Sequence, residues 1–200
     1  MGFSIETTPL VTFHRVDLLF NQHDLDAIYR RTLIPEDAFG INSEQELANK
    51  TLFSEEQAWS MSPSEYMPKF LGDTEFNYGT LVVSTAGHWT TTLMSAFRDE
   101  DAGEEAGYGI ANVESFFEIA MREWAFQVQE AIRDYRSKGG SRPKQVVVRA
   151  YLPGHEDCHN HHEPWTEIEP YERRWYNWPW IRDFNEIFKV SRRFFPSLCR

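Results

Sequence analysis

A long amphipathic segment between two short apolar runs constrains the fold of this chain most. From Ile110 the apolar residues recur at steps of three and four, which predicts a long helix, and Lys138 with Gly139-Gly140 closes it. The runs Leu81–Val83 before it and Val146–Val148 after it predict short strands buried on both faces. Strand, helix and strand in this order predict two parallel neighbours joined by a right-handed crossover. The expected fold class is therefore α/β, with a mostly parallel sheet.

The segments before this unit predict a strand, two helices and a loop. Pro9–Phe20 predicts a strand, because its β-branched and apolar residues are dense, and the helical stretch His23–Leu33 follows. Ser43 with Glu46 three residues later has the spacing of a capping box, which predicts a helix start. Ser62–Gly79 contains two prolines and two glycines and predicts a loop.

Composition bounds the functions open to the chain. Its 200 residues, 41% of them hydrophobic, suffice for one buried core, so we expect residues 1–200 to form a single domain. The formal net charge of −11 disfavours nucleic acid as a partner, and we expect no membrane span. The first residues lack the pattern of a signal peptide. Compartment and oligomeric state stay open.

The residues that follow the two apolar runs are the candidates for a site. Ligands of open α/β sheets bind beyond the carboxyl ends of the strands. Both of the segments there contain glycine followed by histidine, as Gly87-His88 and Gly154-His155. We therefore expect the two pairs to lie close together at one rim of the sheet.

The second of these segments is also rich in residue types that ligate zinc. They are His155, Cys158, His159, His161 and His162. Near neighbours in one loop rarely converge on an ion with tetrahedral geometry, and the chain has no C-x-x-C pair. The letters H-E-x-x-H do occur, from His155 to His159, but that pattern holds zinc when a helix places both histidines on one face. We expect no tightly held metal and no cofactor.

A serine-type hydrolase needs a nucleophile, a base and an acid that orients the base. Gly72-Asp73-Thr74 is faintly similar to a nucleophile turn but is typical of an ordinary Asp-containing turn. The chain contains no D-x-x-H triplet; Glu156 and His159 have that spacing with Glu in place of Asp, which we interpret as coincidence. We expect no catalytic residue among these.

The aromatic cluster Trp175–Trp180 has two interpretations. Such a cluster most often belongs to a core, and its rings are also suited to stacking on sugars. The segment that follows has helical spacing through Ile181, Phe184, Ile187 and Phe188. We expect this helix to pack on the sheet.

Two sequence blocks resemble a known family. The block "LVVSTAGHW", Leu81 to Trp89, is similar to the strand and "NTGHWW" element of the trichome-birefringence-like and PC-esterase branch of the SGNH (GDSL-like) hydrolase superfamily. A loop and an amphipathic helix follow in the family's order, and then "VVVRAYLPGHEDC", similar to the family's "VFFRTxSPxH". The resemblance covers roughly Pro9 to Cys158 and is strongest to uncharacterised fungal relatives. Thr85 stands where the family has asparagine.

The resemblance implies a three-layer sandwich and an acyl-ester function. Family members transfer or remove acetyl groups on polysaccharide hydroxyls, usually in the secretory pathway. The residues carried over are Gly87, His88, Trp89, Arg149 and His155, none of them a nucleophile or a base. With Thr85 and Gly154 they make up the expected substrate and oxyanion side. The family's Gly-Asp-Ser block would precede Pro9 and its D-x-x-H block would follow Arg200. We therefore expect the central portion of such a domain, weakly active or inactive.

An alternative from another class stays open. The chain could be a non-catalytic module that uses the histidine-rich segment and the tryptophan cluster to bind a glycan or a metal. The expected partner is a carbohydrate or an acylated small molecule. The compartment is the secretory pathway if the chain is part of a longer family member, and otherwise the cytoplasm.

Overall fold

The computed structural model describes residues 11–33, 51–72, 78–140, 142–152, 162–163 and 177–191. These ranges contain the helices α1 (Gln22–Leu33), α2 (Pro63–Leu71), α3 (Ile110–Ser137) and α4 (Ile181–Ser191), and the strands β1 (Thr80–Val83) and β2 (Gln145–Val148). Short 3-10 turns lie at Ser95–Phe97, Glu104–Ala106 and Trp178–Trp180. The helix predicted at His23–Leu33 is confirmed as α1. The helix predicted from Ser43 lies outside the described residues.

The two strands form a parallel pair, with α3 in the connection between them. Thr80 pairs with Gln145 at one end of the ladder and Val83 with Val148 at the other. The N–H of Arg149 extends the ladder by donating to the carbonyl oxygen of Val83 at 2.8 Å. The α/β class and the parallel pairing that the sequence predicts are confirmed.

The prediction of strands buried on both faces is wrong. Burial alternates along the second half of β1, where Val82 is 59% exposed and Val83 is buried. Alternation follows from the period of two in a strand. One face of the described pair therefore lies on the core, and the other faces away from it.

The 28-residue helix α3 is amphipathic, as its sequence predicts. Its buried stripe includes Val113, Phe116, Phe117, Ala120, Trp124, Val128 and Ile132. The helix ends with Gly139 in the left-handed region, at a φ of 89°. The N–H of Gly139 donates to Arg136, and that of Gly140 donates to Tyr135. This pair of bonds is typical of a glycine helix end, so the predicted C-terminus of the helix is confirmed.

An aromatic cluster joins α3 to α4 and to the residues after β1. The ring centroid of Phe117 lies 4.7 Å from that of Trp89, 4.9 Å from that of Phe184 and 5.3 Å from that of Phe188. All three pairs meet edge to face, a favourable arrangement for aromatic rings. The prediction that the C-terminal helix packs on the sheet is corrected by these contacts. They place the phenylalanines of α4, four residues apart on one face, against α3.

The prediction of a strand over Pro9–Phe20 is wrong for the described part, residues 11–20. The ladder contact of that part is a single isolated parallel bridge between Leu18 and Ser60. The side chain of Asn21 then caps α1 by accepting the N–H of its third residue at 2.8 Å. Leu18, Leu19 and Phe20 are buried, whereas Val11 and Phe13 are exposed, and the irregular backbone leads directly into a helix.

The prediction of a loop over Ser62–Gly79 is wrong for the part that forms α2. Pro63 lies in the first turn of α2, where its missing N–H costs nothing. The carboxylate of Glu65 accepts the N–H of Ser62 at 2.9 Å, which satisfies the helix start. The same bond lowers the pKa of Glu65. Of the two prolines of α2, only Pro68 lies beyond the first turn, so proline content alone was a misleading signal.

Candidate functional site

A tight turn follows β1 and carries the predicted Gly87-His88 pair. The N–H of Trp89 donates to the carbonyl oxygen of Ala86 at 2.9 Å, which closes the turn. Thr85 and the other residues of the turn are buried, whereas His88 is partly exposed. The turn therefore presents one imidazole from an otherwise buried loop at the carboxyl end of a strand.

The imidazole of His88 lies against the carboxylate of Asp17. His88 Nδ1 and Asp17 Oδ1 are 3.5 Å apart, and the two side chains are 20% and 9% exposed. The second carboxylate oxygen of Asp17 accepts the N–H of Trp59 at 3.0 Å, so the carboxylate is fixed in place. A fixed carboxylate beside an imidazole orients the ring.

Sequence reasoning missed Asp17. The available signal was an acidic residue inside a run of apolar residues, where a carboxylate is costly unless it is bonded. That signal does not say which distant histidine the carboxylate meets.

The hydroxyl of Thr85 is engaged inside the fold. It donates to the backbone carbonyl oxygen of Asp17 at 2.5 Å and accepts the indole N–H of Trp89 at 3.0 Å. These two bonds tie the turn to the segment that carries Asp17. They give Thr85 a part in positioning the turn, and its assignment to the oxyanion side stays a prediction. Trp89 is fully buried and contributes to the core.

Gly87 is the point where the two strand ends meet. A Cβ atom at this position would lie 2.6 Å from Oη and 2.7 Å from Cζ of Tyr151. Since real Cβ atoms do not approach so closely, glycine is what lets the ring lie against the turn. Tyr151 follows β2 by three residues, so the rim receives residues from both strand ends. Sequence reasoning missed this tyrosine as well.

The other predicted site residues belong to the β2 side. Arg149 directly follows β2 and is exposed, with its backbone N–H in the ladder. Gly154 and His155 lie outside the described residues, as do Asp73 and Thr74 of the candidate nucleophile turn. The adjacent parallel strands confirm the topology on which the two Gly-His pairs depend, and the meeting of the pairs themselves stays a prediction.

The buried hydroxyl of Ser62 is bonded to a carboxylate and not to an imidazole. It donates to Oδ2 of Asp24 at 2.5 Å and accepts the N–H of Asn21 at 2.9 Å. The ring of His23 lies on the other oxygen of that carboxylate, at 3.4 Å. A serine nucleophile needs its base beside the hydroxyl. This order of groups joins α1 to α2 and does not activate Ser62.

A polar cleft of about 470 Å³ lies beside the turn after β1. Its lining includes Thr90–Thr92, which directly follow the turn, together with Arg98, Tyr108 and Trp180. The guanidinium of Arg98 lies 4.0 Å from the ring centroid of Tyr108 and 2.6 Å from a carboxylate oxygen of Glu100. Hydroxyls, charges and aromatic rings together suit a ligand with both polar groups and an apolar face.

In the part of the chain that the structure describes, no three His, Cys, Asp or Glu side chains are grouped so that they could hold a metal ion. Of the candidate zinc ligands, only His162 is described, and it is exposed. The prediction of no tightly held metal in the histidine-rich segment therefore stays a prediction.

None of the helices in the described ranges has the length and apolar character needed to cross a membrane.

Comparisons with known proteins add no relative. No protein-family model, no curated protein and no solved structure matches this chain.

Proposed function

We propose that this chain is the central part of an SGNH-type acyl-ester domain that binds an acylated carbohydrate and has little or no turnover of its own. In this proposal the β1–β2 pair belongs to the parallel sheet of a three-layer sandwich. The turn after β1 then forms the side of the site that meets the substrate.

The pairing of His88 with Asp17 at the carboxyl end of β1 is the observation that supports this proposal. That edge is where open α/β sheets bind their ligands. A carboxylate at 9% exposure is costly unless it is bonded or paired, and that of Asp17 accepts the N–H of Trp59 and lies beside the side chains of Arg15 and His88. The carboxylate of Asp17 orients the one partly exposed ring of the turn, which is what a ligand-contacting imidazole requires.

The residues of the rim have different parts in this proposal. The imidazole of His88 contacts the acyl ester. Because Nδ1 faces the carboxylate of Asp17, the ring donates to the ester carbonyl oxygen from Nε2, and it does so in its charged form. Thr85 and Trp89 hold the turn, and Gly87 lets the β2 end approach it. Arg149, Gly154 and His155 are assigned to the other side of the same site.

Little turnover is expected, because acyl transfer through serine needs a nucleophile activated by a neighbouring base. The sequence contains neither Gly-Asp-Ser nor D-x-x-H. We expect the purified chain to hydrolyse an aryl acetate no faster than buffer does. Robust hydrolysis that disappears in His88→Ala or Thr74→Ala would show that this chain contains the catalytic machinery.

Binding of an O-acetylated oligosaccharide tests the proposal directly. The acetylated and the deacetylated forms are titrated separately into labelled protein, and the amide and ring resonances are followed by NMR. We expect the acetylated form to shift His88 and Gly87, and His88→Ala to weaken its binding by about threefold to tenfold, the effect of one lost hydrogen bond.

The variant His14→Ala is the matched control, because His14 is exposed and lies outside the rim. It should bind like the unchanged protein. If the acetylated form does not bind, or if His14→Ala and His88→Ala weaken binding equally, the proposal fails.

A glycan-binding module without an acyl site is the second candidate, and the cleft beside the turn is the observation that favours it. Trp180 and Tyr108 offer aromatic faces, and Thr90–Thr92 offer hydroxyls. This role predicts equal binding of the acetylated and deacetylated forms, with shifts at Trp180 and none at His88. The same titration therefore separates the two candidates.

A further inference from the structure

Two asparagines on one C-terminal segment reach the two strand ends separately. Asn177 precedes the 3-10 turn Trp178–Trp180, and Asn185 lies in α4. Asn177 bonds to the turn after β1, and Asn185 bonds to Tyr151 after β2. The C-terminal segment therefore contacts both parts of the rim, the turn after β1 and the residues after β2.

Asn177 clamps both ends of the turn that holds Gly87 and His88. Its Nδ2 donates to the carbonyl oxygen of Ala86 at 2.9 Å and to that of Trp89 at 3.0 Å. These are the residues that the turn's own hydrogen bond joins. A single amide group thus fixes the turn from outside.

The two bonds of Asn177 leave one of its own polar atoms unsatisfied. Asn177 is fully buried, and its Oδ1 has no hydrogen-bond partner among the described residues. A buried acceptor without a donor is destabilising. Apolar packing would avoid that cost but would leave the carbonyl groups of Ala86 and Trp89 without these donors.

Asn185 pairs with the backbone of Tyr151 as a neighbouring strand would. Its Oδ1 accepts the N–H of Tyr151 at 2.9 Å, and its Nδ2 donates to the carbonyl oxygen of the same residue at 3.0 Å. The ring of Tyr151 lies where a side chain at Gly87 would otherwise be. Asn185 therefore acts on the rim through Tyr151.

We propose that Asn177 and Asn185 are positioning residues of the rim, which set the place of Gly87 and His88 from two independent directions. The inference deepens the proposed function, because it assigns to the C-terminal segment the task of preforming the substrate side of that site. Neither asparagine contacts the substrate.

Amide hydrogen exchange measures each clamp without any ligand. In Asn177→Ala we expect the amide of Trp89 to exchange about tenfold to a hundredfold faster relative to the amide of Phe117 in α3, since two hydrogen bonds are lost. In the matched variant Asn185→Ala the amide of Tyr151 should speed up relative to Phe117, and that of Trp89 should not.

The ring resonances of His88 report its position directly and should shift in Asn177→Ala. An unchanged Trp89 amide in that variant would overturn the proposal. So would equal acceleration of Trp89 in the Asn177 and Asn185 variants, because the loss would then be general.

The variant Asn177→Asp keeps the shape and makes the donor depend on pH. Its buried carboxyl faces two carbonyl oxygens, so its pKa is raised. Only the protonated form can donate, and its single O–H restores one of the two bonds, so protection is regained in part. Protection of the Trp89 amide, corrected for intrinsic exchange rates, should recover as the pH falls through that pKa. Protection that does not change with pH would refute the clamp. The exchange rates and ring shifts are measured without ligand. The positioning role of the asparagines and the binding of the acetylated oligosaccharide can therefore be refuted separately.

Discussion

The two strand ends that meet at the rim are held in different ways. After β1, side-chain bonds from Thr85 and Trp89 and a tight backbone turn bury the loop from which His88 emerges. After β2, the described residues are more exposed, and Leu152 is 65% exposed. A site residue whose place is fixed is therefore expected at the β1 end, and adaptable contacts are expected at the β2 end outside Tyr151, whose backbone Asn185 holds.

The largest expected difference between the two ends is in packing. Trp89→Ala removes a fully buried ring and should lower the free energy of unfolding by about 3–5 kcal/mol. Leu152→Ala, at an exposed position, should change it by less than about 0.5 kcal/mol. Urea unfolding of both variants measures the contrast. Similar losses of stability at the two positions would mean that the residues after β1 and after β2 are held equally firmly.

The next effect concerns the hydroxyl that ties the β1 end to Asp17. Thr85→Val keeps the shape but leaves the indole N–H of Trp89 without its acceptor, so we expect a loss of about 1–3 kcal/mol in the free energy of unfolding. Thr85→Ser should retain most of the stability. Thr92→Val is the control at an exposed position, and a loss as large as that of Thr85→Val would remove the reason for singling out Thr85.

A smaller effect is expected where the two ends touch. Gly87→Ala would press a methyl group against Tyr151 and should destabilise by about 1 kcal/mol, the low end for an overpacked site, because the ring can shift. Gly79→Ala meets no atom within 4 Å and should be neutral or slightly stabilising.

A double-mutant cycle identifies the cause of the Gly87 effect. Adding Tyr151→Ala should remove the penalty of Gly87→Ala, because the two residues are in contact. Additive losses in the double variant would mean that the ring is not what the added methyl group meets.

The smallest expected effect is that of removing metal. A chelator should leave the melting temperature unchanged, because we expect no tightly held ion in the histidine-rich segment after β2. Metal bound at one hundred times its dissociation constant would add about 2.7 kcal/mol. A large fall on chelation, restored by zinc and abolished in Cys158→Ser, would show that the β2 end is held by metal.

The elements that the sequence predicted well are those that follow from the spacing of apolar residues along the chain. The stripe from Val113 to Ile132 and the glycines after it determine α3, and the apolar runs on either side determine the parallel strands. The order of these three elements predicts that Gly87-His88 lies at the end of a strand. Each inference needs only neighbouring residues.

The parts that sequence reasoning missed depend on distant partners or on competing local signals. Asp17 meets His88 only after the chain has folded, and no spacing rule relates the two positions. Asn177 and Tyr151 were hidden for the same reason. In α2 the prolines indicated a loop, whereas Pro63 in the first turn and Glu65 at its third position favour a helix.

The most direct test of this account is the nuclear Overhauser contact between the two strand ends. The backbone of Gly87 lies against the ring of Tyr151, and Val82 pairs with Val147 in a parallel ladder. We expect cross-peaks between the Gly87 Hα protons and the Tyr151 ring, together with the parallel pattern for Val82 and Val147. An antiparallel pattern, or a Tyr151 ring without contacts to Gly87, would contradict the claim that both strand ends build one rim.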